Sequence, residues 1–254
     1  TLELKSLGKT SIKAQNNGIH LLGDREKGNA ELFIRNGAAS DPAVAIRSAG
    51  KGIYLESTAG AANLDIKGKV DIEAPQGIVV DRGKLTIGGG KIVSKGDAAL
   101  YVNSISTAKI NADAGSEGNI VPLDESRDVQ IEGDIRVKDS SATAYVGLTT
   151  KDSFLKGLFT TDMHTWPLHQ WEWASGKGYL ALKNGAVWEH AKVGTGMDKN
   201  GALELGDSRV NRLNADGGVI RQNDKRSILI DDFRGKMKVI YEHENDGSKA
   251  TDYA

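Results

Sequence analysis

The chain contains no cysteine, so neither a disulfide framework nor a thiolate zinc site can hold it. It has only 4 prolines, and its 31 glycines do not fall at every third position, which excludes a collagen-like triple helix. Aromatic residues make up 6% of the 254 residues, too few large side chains for a thick globular core across the first half. No apolar run approaches the roughly 18 residues of a membrane-spanning helix, and no signal peptide is visible, so membrane insertion is not expected. An excess of one charge is also missing: 33 Lys and Arg face 34 Asp and Glu, for a net charge of -1. The signs alternate finely with no basic block, which argues against nucleic-acid binding. Thr1 opens the chain in mid-repeat, and a fragment of a longer polypeptide is expected.

What the chain has is one phrase repeated from residue 1 to about 110: a short apolar-any-apolar strand, then a small polar turn with a glycine. Ile12-Lys13-Ala14, Ile19-His20-Leu21, Leu32-Phe33-Ile34, Val44-Ala45-Ile46, Ile53-Tyr54-Leu55, Leu64-Asp65-Ile66, Val70-Asp71-Ile72 and Leu85-Thr86-Ile87 are examples. Period-two alternation puts one row of side chains on a buried face and the charged residues on the other. Glycines such as Gly18, Gly50, Gly60 and Gly77 mark the turns between strands.

Such strands carry two or three core side chains each. A single chain folding on itself is then expected to bury a thin stripe and leave both sheet edges open. An unpaired backbone group in a dry environment costs about 1–3 kcal/mol, against about 1.5–3 kcal/mol gained from one buried Ile. Neighbouring chains are the obvious source of the missing partners. The expected fold is therefore all-β: a fibrous homotrimer with an intertwined β-helix or β-prism shaft and a small β-meander module.

The rhythm changes along the chain. Residues 1-110 read as the repetitive shaft, and 111-140 as a hinge-like loop, Ala112 to Asn119, followed by short strands from Val129 to Val137. Residues 141-198 read as an aromatic-rich β module, and 199-254 as a second repetitive β segment. Ten of the 14 aromatic residues lie beyond residue 150, and all 4 Trp fall between Trp166 and Trp188. Asn184-Gly185 reads as a two-residue hairpin signal between Tyr179-Leu182 and Ala186-Trp188. No helix of ordinary length is convincing.

The glycine-punctuated strands resemble those of bacteriophage tail fibres, as in Gly50-Lys51-Gly52-Ile53-Tyr54-Leu55-Glu56 and the run from Leu64 to Gly77. They are also similar to the triple-stranded β-helices of contractile-tail spikes. The phrase Asn200-Gly201-Ala202-Leu203-Glu204-Leu205-Gly206-Asp207 is similar to those threaded through long and side tail fibres. The resemblance implies a homotrimeric virion component, located in the phage tail fibre, that links the tail to host recognition. Its implied partners are neighbouring tail fibre or baseplate subunits and, as receptor, a host surface glycan or outer-membrane protein. The alternative is a cell-puncturing spike of a contractile tail or secretion system, and a more remote one a capsule-degrading tailspike. The His-any-His motif of some fibre tips is absent.

Candidate chemistry is sparse. Trp166, Trp171, Trp173, Tyr179 and Trp188 are the candidate glycan or receptor contacts, because exposed Trp and Tyr dominate many recognition patches. The competing reading makes the tryptophans the core of the aromatic module. His164, His169 and His190 have no ligand-pair spacing, so no metal and no cofactor are expected. Asp231-Asp232 and Glu242/Glu244 read as outward strand and turn charges, and Gly88-Gly89-Gly90-Lys91 as a turn, so no catalytic residue is assigned and no enzyme activity is expected.

Overall fold

A computed structural model describes residues 2–6, 10–24, 26, 28–36, 42–116, 119–161, 176–191, 193, 208–223, 227–241 and 251–253. The chain winds through successive turns, each laying a strand on up to three walls. The first turn holds β1 (Leu2–Ser6), β2 (Thr10–Ala14) and β3 (Ile19–Gly23); the second holds β4 (Ala30–Asn36), β5 (Pro42–Ser48) and β6 (Lys51–Ser57). In the third, β7 (Ala62–Glu73) bends across two walls before β8 (Gln76–Asp81), as β9 (Gly83–Val93) does before β10 (Leu100–Asn103) in the fourth. The fifth runs from β11 (Thr107–Ile110) through a side hairpin, β12 (Ala112–Ala114) and β13 (Ile120–Pro122), to β14 (Val129–Glu132) and β15 (Ile135–Val137). Then follow β16 (Thr143–Leu148), β17 (Phe154–Lys156) and β18 (Phe159–Thr160), and next β19 (Lys177–Lys183) and β20 (Val187–His190). The long strands β21 (Ser208–Gln222) and β22 (Ile228–Tyr241) each cross two walls, and β23 (Thr251–Tyr253) pairs antiparallel with β22. No α-helix occurs among the described residues.

Wall one is the parallel ladder β1-β4-β7-β9-β11-β16-β19-β21-β22, wall two is β2-β5-β7-β9-β14-β17-β20-β21-β22, and wall three is β3-β6-β8-β10-β15-β18. Because β9 and β21 belong to two walls, the hydrogen-bonded path β9-β11-β16-β19-β21-β20-β17-β14 returns to β9. It is a closed ring of eight parallel strands, a parallel β-barrel built by one chain.

This closure overturns the intertwined fibrous shaft expected of a homotrimer. The open edges that called for three chains are paired within one chain, turn upon turn. The elongated shaft is overturned with it, because three strands share each rung. The first hundred residues add only β1, β4, β7 and β9 to wall one, about 20 Å at ~4.8 Å per rung where a one-strand-per-rung shaft would climb about 50–60 Å. The β-meander is replaced by parallel pairing of β16 with β19 and β17 with β20. At Asn184-Gly185 the local turn forms, with φ of 52° and 80° and Ala186 N donating to Lys183 O at 2.9 Å. It turns a corner from wall one to wall two rather than a hairpin, because its flanking strands pair with other turns.

The core explains why thin strands suffice. Each strand offers two or three inward side chains, but three walls face one another, so every inward row is covered from two sides. On wall two the register stacks Ile12, Ile46, Ile72, Ile92, Ile131, Leu155, Trp188, Ile220 and Val239. From Ile46 to Trp188 this row is at most 1% exposed. Wall three stacks Ile19, Ile53, Ile78, Leu100, Ile135 and Phe159. Parallel strands buried on one side by such rows need mates at fixed register, which the repeat provides.

A chain that pairs successive turns within itself needs no second copy to form those ladders. Its melting temperature is expected to stay constant over about a hundredfold range of protein concentration. A midpoint that climbs with concentration would restore obligate association.

Candidate functional site

The outer side of wall one carries the most differentiated surface. Its outward row runs Thr86, Lys109, Tyr145, Tyr179 and Arg212 across β9, β11, β16, β19 and β21. Register places Tyr145 directly beside Tyr179, and their rings stack with centroids 4.8 Å apart and planes 10° from parallel. Burial pushes the Tyr145 hydroxyl above its ordinary pKa, with Tyr179 and Asp113 adding to the shift.

Over this pair lies the β12–β13 hairpin, which pairs Ala112 with Pro122 and Ala114 with Ile120. Ala112 and Ile120 close over Ala181, and both tyrosines pack against that cluster. The base of the hairpin is pinned by Asn111, fully buried at φ 47°. Asn111 Nδ2 donates to Asp124 O at 2.9 Å and to Thr149 Oγ1 at 3.2 Å, while its Oδ1 accepts from Asp124 N at 3.0 Å. Asparagine suits this place because it tolerates a left-handed backbone and still offers both a donor and an acceptor.

Charges frame the hairpin. Lys109 pairs with Asp113, whose carboxyl is held below its ordinary pKa chiefly by that hydrogen bond. Lys183 Nζ lies 3.0 Å from Glu125 Oε1, and Arg234 Nη1 donates to Asn119 Oδ1 at 2.8 Å. Val121 and Leu123 stand out from the hairpin at 49% and 44% exposure. The patch thus combines half-buried tyrosines, two exposed aliphatic side chains and paired charges. It is equipped for non-covalent recognition.

The sequence-based contact candidates separate. Trp166, Trp171 and Trp173 lie outside the described residues. Tyr179 stands on the outer wall, half-buried. Trp188 faces the opposite way: it occupies the inward isoleucine row, is fully buried, and donates from Nε1 to Gly157 O at 2.9 Å. It presents no face to a ligand. Gly176 N donates to Thr161 O at 2.9 Å, so the two described residues flanking 162–175 are held side by side.

Other candidates have structural neighbours. His190 is fully buried, with Nε2 2.9 Å from Ser208 Oγ and its ring edge-on to Trp188. His164 and His169 lie outside the described residues. Asp231 pairs with Arg209 and Asp232 with Arg212, and Glu242 and Glu244 lie outside the described residues. Gly88, Gly89 and Gly90 form the bend inside β9. Among the described residues no group of three or more His, Asp or Glu is placed to hold a metal ion.

Sequence reasoning missed Tyr145 and the hairpin. Tyr145 sits in an ordinary alternating strand, and only its register with Tyr179 makes it distinctive. The segment 111–127 is polar and small, and reads as a loop. Its one usable signal is Ile120-Val121 beside the polar turn. Comparison of the chain with protein-family models, with curated proteins and with solved structures finds no match.

Proposed function

We propose that the chain is a structural and adhesive segment of a bacteriophage tail fibre, carried in the virion between neighbouring fibre or baseplate subunits and contributing to host attachment without catalysis. The observation that supports this reading is the hairpin seated on the stacked Tyr145–Tyr179 pair. Elsewhere the same outward row carries Phe33, covered by Arg35, and the polar or charged Asp65, Thr86, Lys109 and Arg212; here the chain leaves the winding path to build a raised patch with exposed apolar side chains. The scaffold beneath is a barrel whose rows are locked by register, which suits a part that must hold a contact surface steady under load. The receptor class is a host-surface glycan or an outer-membrane protein, both of which engage tyrosine and aliphatic surface.

The test is binding of the purified chain to bacterial cells and their extracted surface polysaccharide. Tyr145→Ala with Tyr179→Ala is expected to weaken binding by at least about tenfold, roughly 1.4 kcal/mol, while circular dichroism keeps the β signature. Ile105→Ser, at a corner where the side chain is 77% exposed, serves as the control and should leave binding intact. Undiminished binding by the tyrosine variant would remove this patch from the reading. A chain that binds no cell surface would favour the cell-puncturing spike, which works by stiffness. New reducing ends released from polysaccharide would favour the capsule-degrading tailspike.

A further inference from the structure

The corner between walls two and three carries a column of very small residues. Register aligns Gly18, Gly52, Gly77 and Ala99 in four successive turns, one residue before the paired Ile19, Ile53, Ile78 and Leu100. The turns approach closely there: a Cβ on Gly52 would lie 2.5 Å from Gly77 O, and one on Gly77 would lie 2.5 Å from Ala99 O. In the fifth turn the same position, one before Ile135, is Asp134.

Asp134 is fully buried. Its Oδ1 accepts from Leu158 N at 3.0 Å in the next turn and from Val193 N at 3.2 Å in the turn beyond. One oxygen therefore ties three turns together. Oδ2 has no hydrogen-bond partner among the described residues and lies 3.6 Å from Arg136 Nη2. That counter-charge is shared, because Arg136 also donates from Nη1 to Asp97 Oδ1 and from Nη2 to Asp97 O at 3.1 Å. A dry carboxylate with half a cation and one idle oxygen is poorly compensated.

We propose that Asp134 is a proton-operated clasp on this corner, closed over Leu158 and Val193 when the carboxyl is neutral and loosened when it ionises. The neutral acid keeps an acceptor for both amides and buries no net charge, whereas the anion is hydrated only if the corner opens. Charged and titratable neighbours come from each packed element. Arg136 on β15 favours the anion but is shared with Asp97 before β10, and Tyr101 on β10 is itself pushed up to about 12 by burial beside Asp81 and Asp97. From β20 comes His190, held on Ser208 Oγ. Burial raises the Asp134 carboxyl above its ordinary value, against the pull of the Leu158 and Val193 amides and of Arg136. With the folded pKa above the unfolded one, the stabilisation is complete below the unfolded value and is lost as pH rises through the folded value.

Hydrogen exchange on the intact chain between pH 4 and pH 8 tests this. It is read as protection factors of the Leu158 and Val193 amides relative to Ile78, whose amide donates to Ala99 O at 2.9 Å. The ratio is expected to fall roughly tenfold per pKa unit of upward shift in the native chain and to stay flat in Asp134→Asn. A flat native profile, or the same fall in Asp134→Asn, overturns the clasp. If Asp134→Asn does not fold, a carbon-13 titration of the native Asp134 carboxyl decides: a midpoint above the ordinary carboxylate range supports the clasp, and one within or below it overturns it.

Discussion

Gly90→Ala is expected to destabilise the chain by about 3–5 kcal/mol, the sum of backbone strain and a steric conflict. Gly90 lies in the bend of β9 with φ at 110°, a conformation that L side chains rarely adopt. A Cβ there would sit 2.5 Å from Val70 N and closer still to Val70 O, the backbone of the adjacent rung. Neither partner can move without breaking the register that aligns Val70, Gly90 and Val129. Gly28→Ala separates the two causes. Gly28 also has positive φ, 81°, but nothing lies within 4 Å of its would-be Cβ, so only the left-handed penalty of about 1–2 kcal/mol applies. Urea unfolding of both variants measures the difference, and equal costs would mean that the bend of β9 is not tightly packed.

Trp188→Ala is the second large effect, about 3–5 kcal/mol, because it empties the widest position of the inward row on wall two and leaves Gly157 O without its indole donor. Trp188→Phe keeps most of the volume and should cost clearly less. At a temperature where the alanine variant is folded, cell binding should match the native chain. Lost binding with retained stability would return Trp188 to the recognition surface.

Much of the strand content was legible. Ile12-Lys13-Ala14, Leu64-Asp65-Ile66, Ile78-Val79-Val80 and Ile135-Arg136-Val137 all fall within strands; alternation separates Ile66 from Asp65, but not Ile135 from Arg136 or Ile78 from Val79, all of which are buried. Period-two alternation reports which side a residue faces; it carries no information about which strand lies alongside. Ile53 pairs with Ile19 and Ile78, residues 34 and 25 positions away, and no local feature announces either distance. The demand for three chains came from treating each strand as a lone ribbon with open edges. The enclosed arrangement of three walls makes that count inapplicable. Trp188 shows the same limit, since a tryptophan among other aromatics reads as a patch, while register puts it in line with Ile92 and Ile131. Tyr145 and Asn111 were invisible for a related reason: each matters through a neighbour 34 or 38 residues on, Tyr179 or Thr149.

Within each of the three walls the strands pair parallel, turn upon turn, and this gives the molecule a polarity. The end carrying β1, β2 and β3 and the end carrying β22 are different surfaces, so copies joining end to end would do so head to tail, a contact that repeats without closing. At the β22 end such growth meets an obstacle. β23 lies antiparallel along Met237 to Val239 and fills the rung that an incoming strand of wall two would need. A reversed strand at the exposed edge blunts it as a template, so the fold that makes filament formation geometrically available also contains a brake on it.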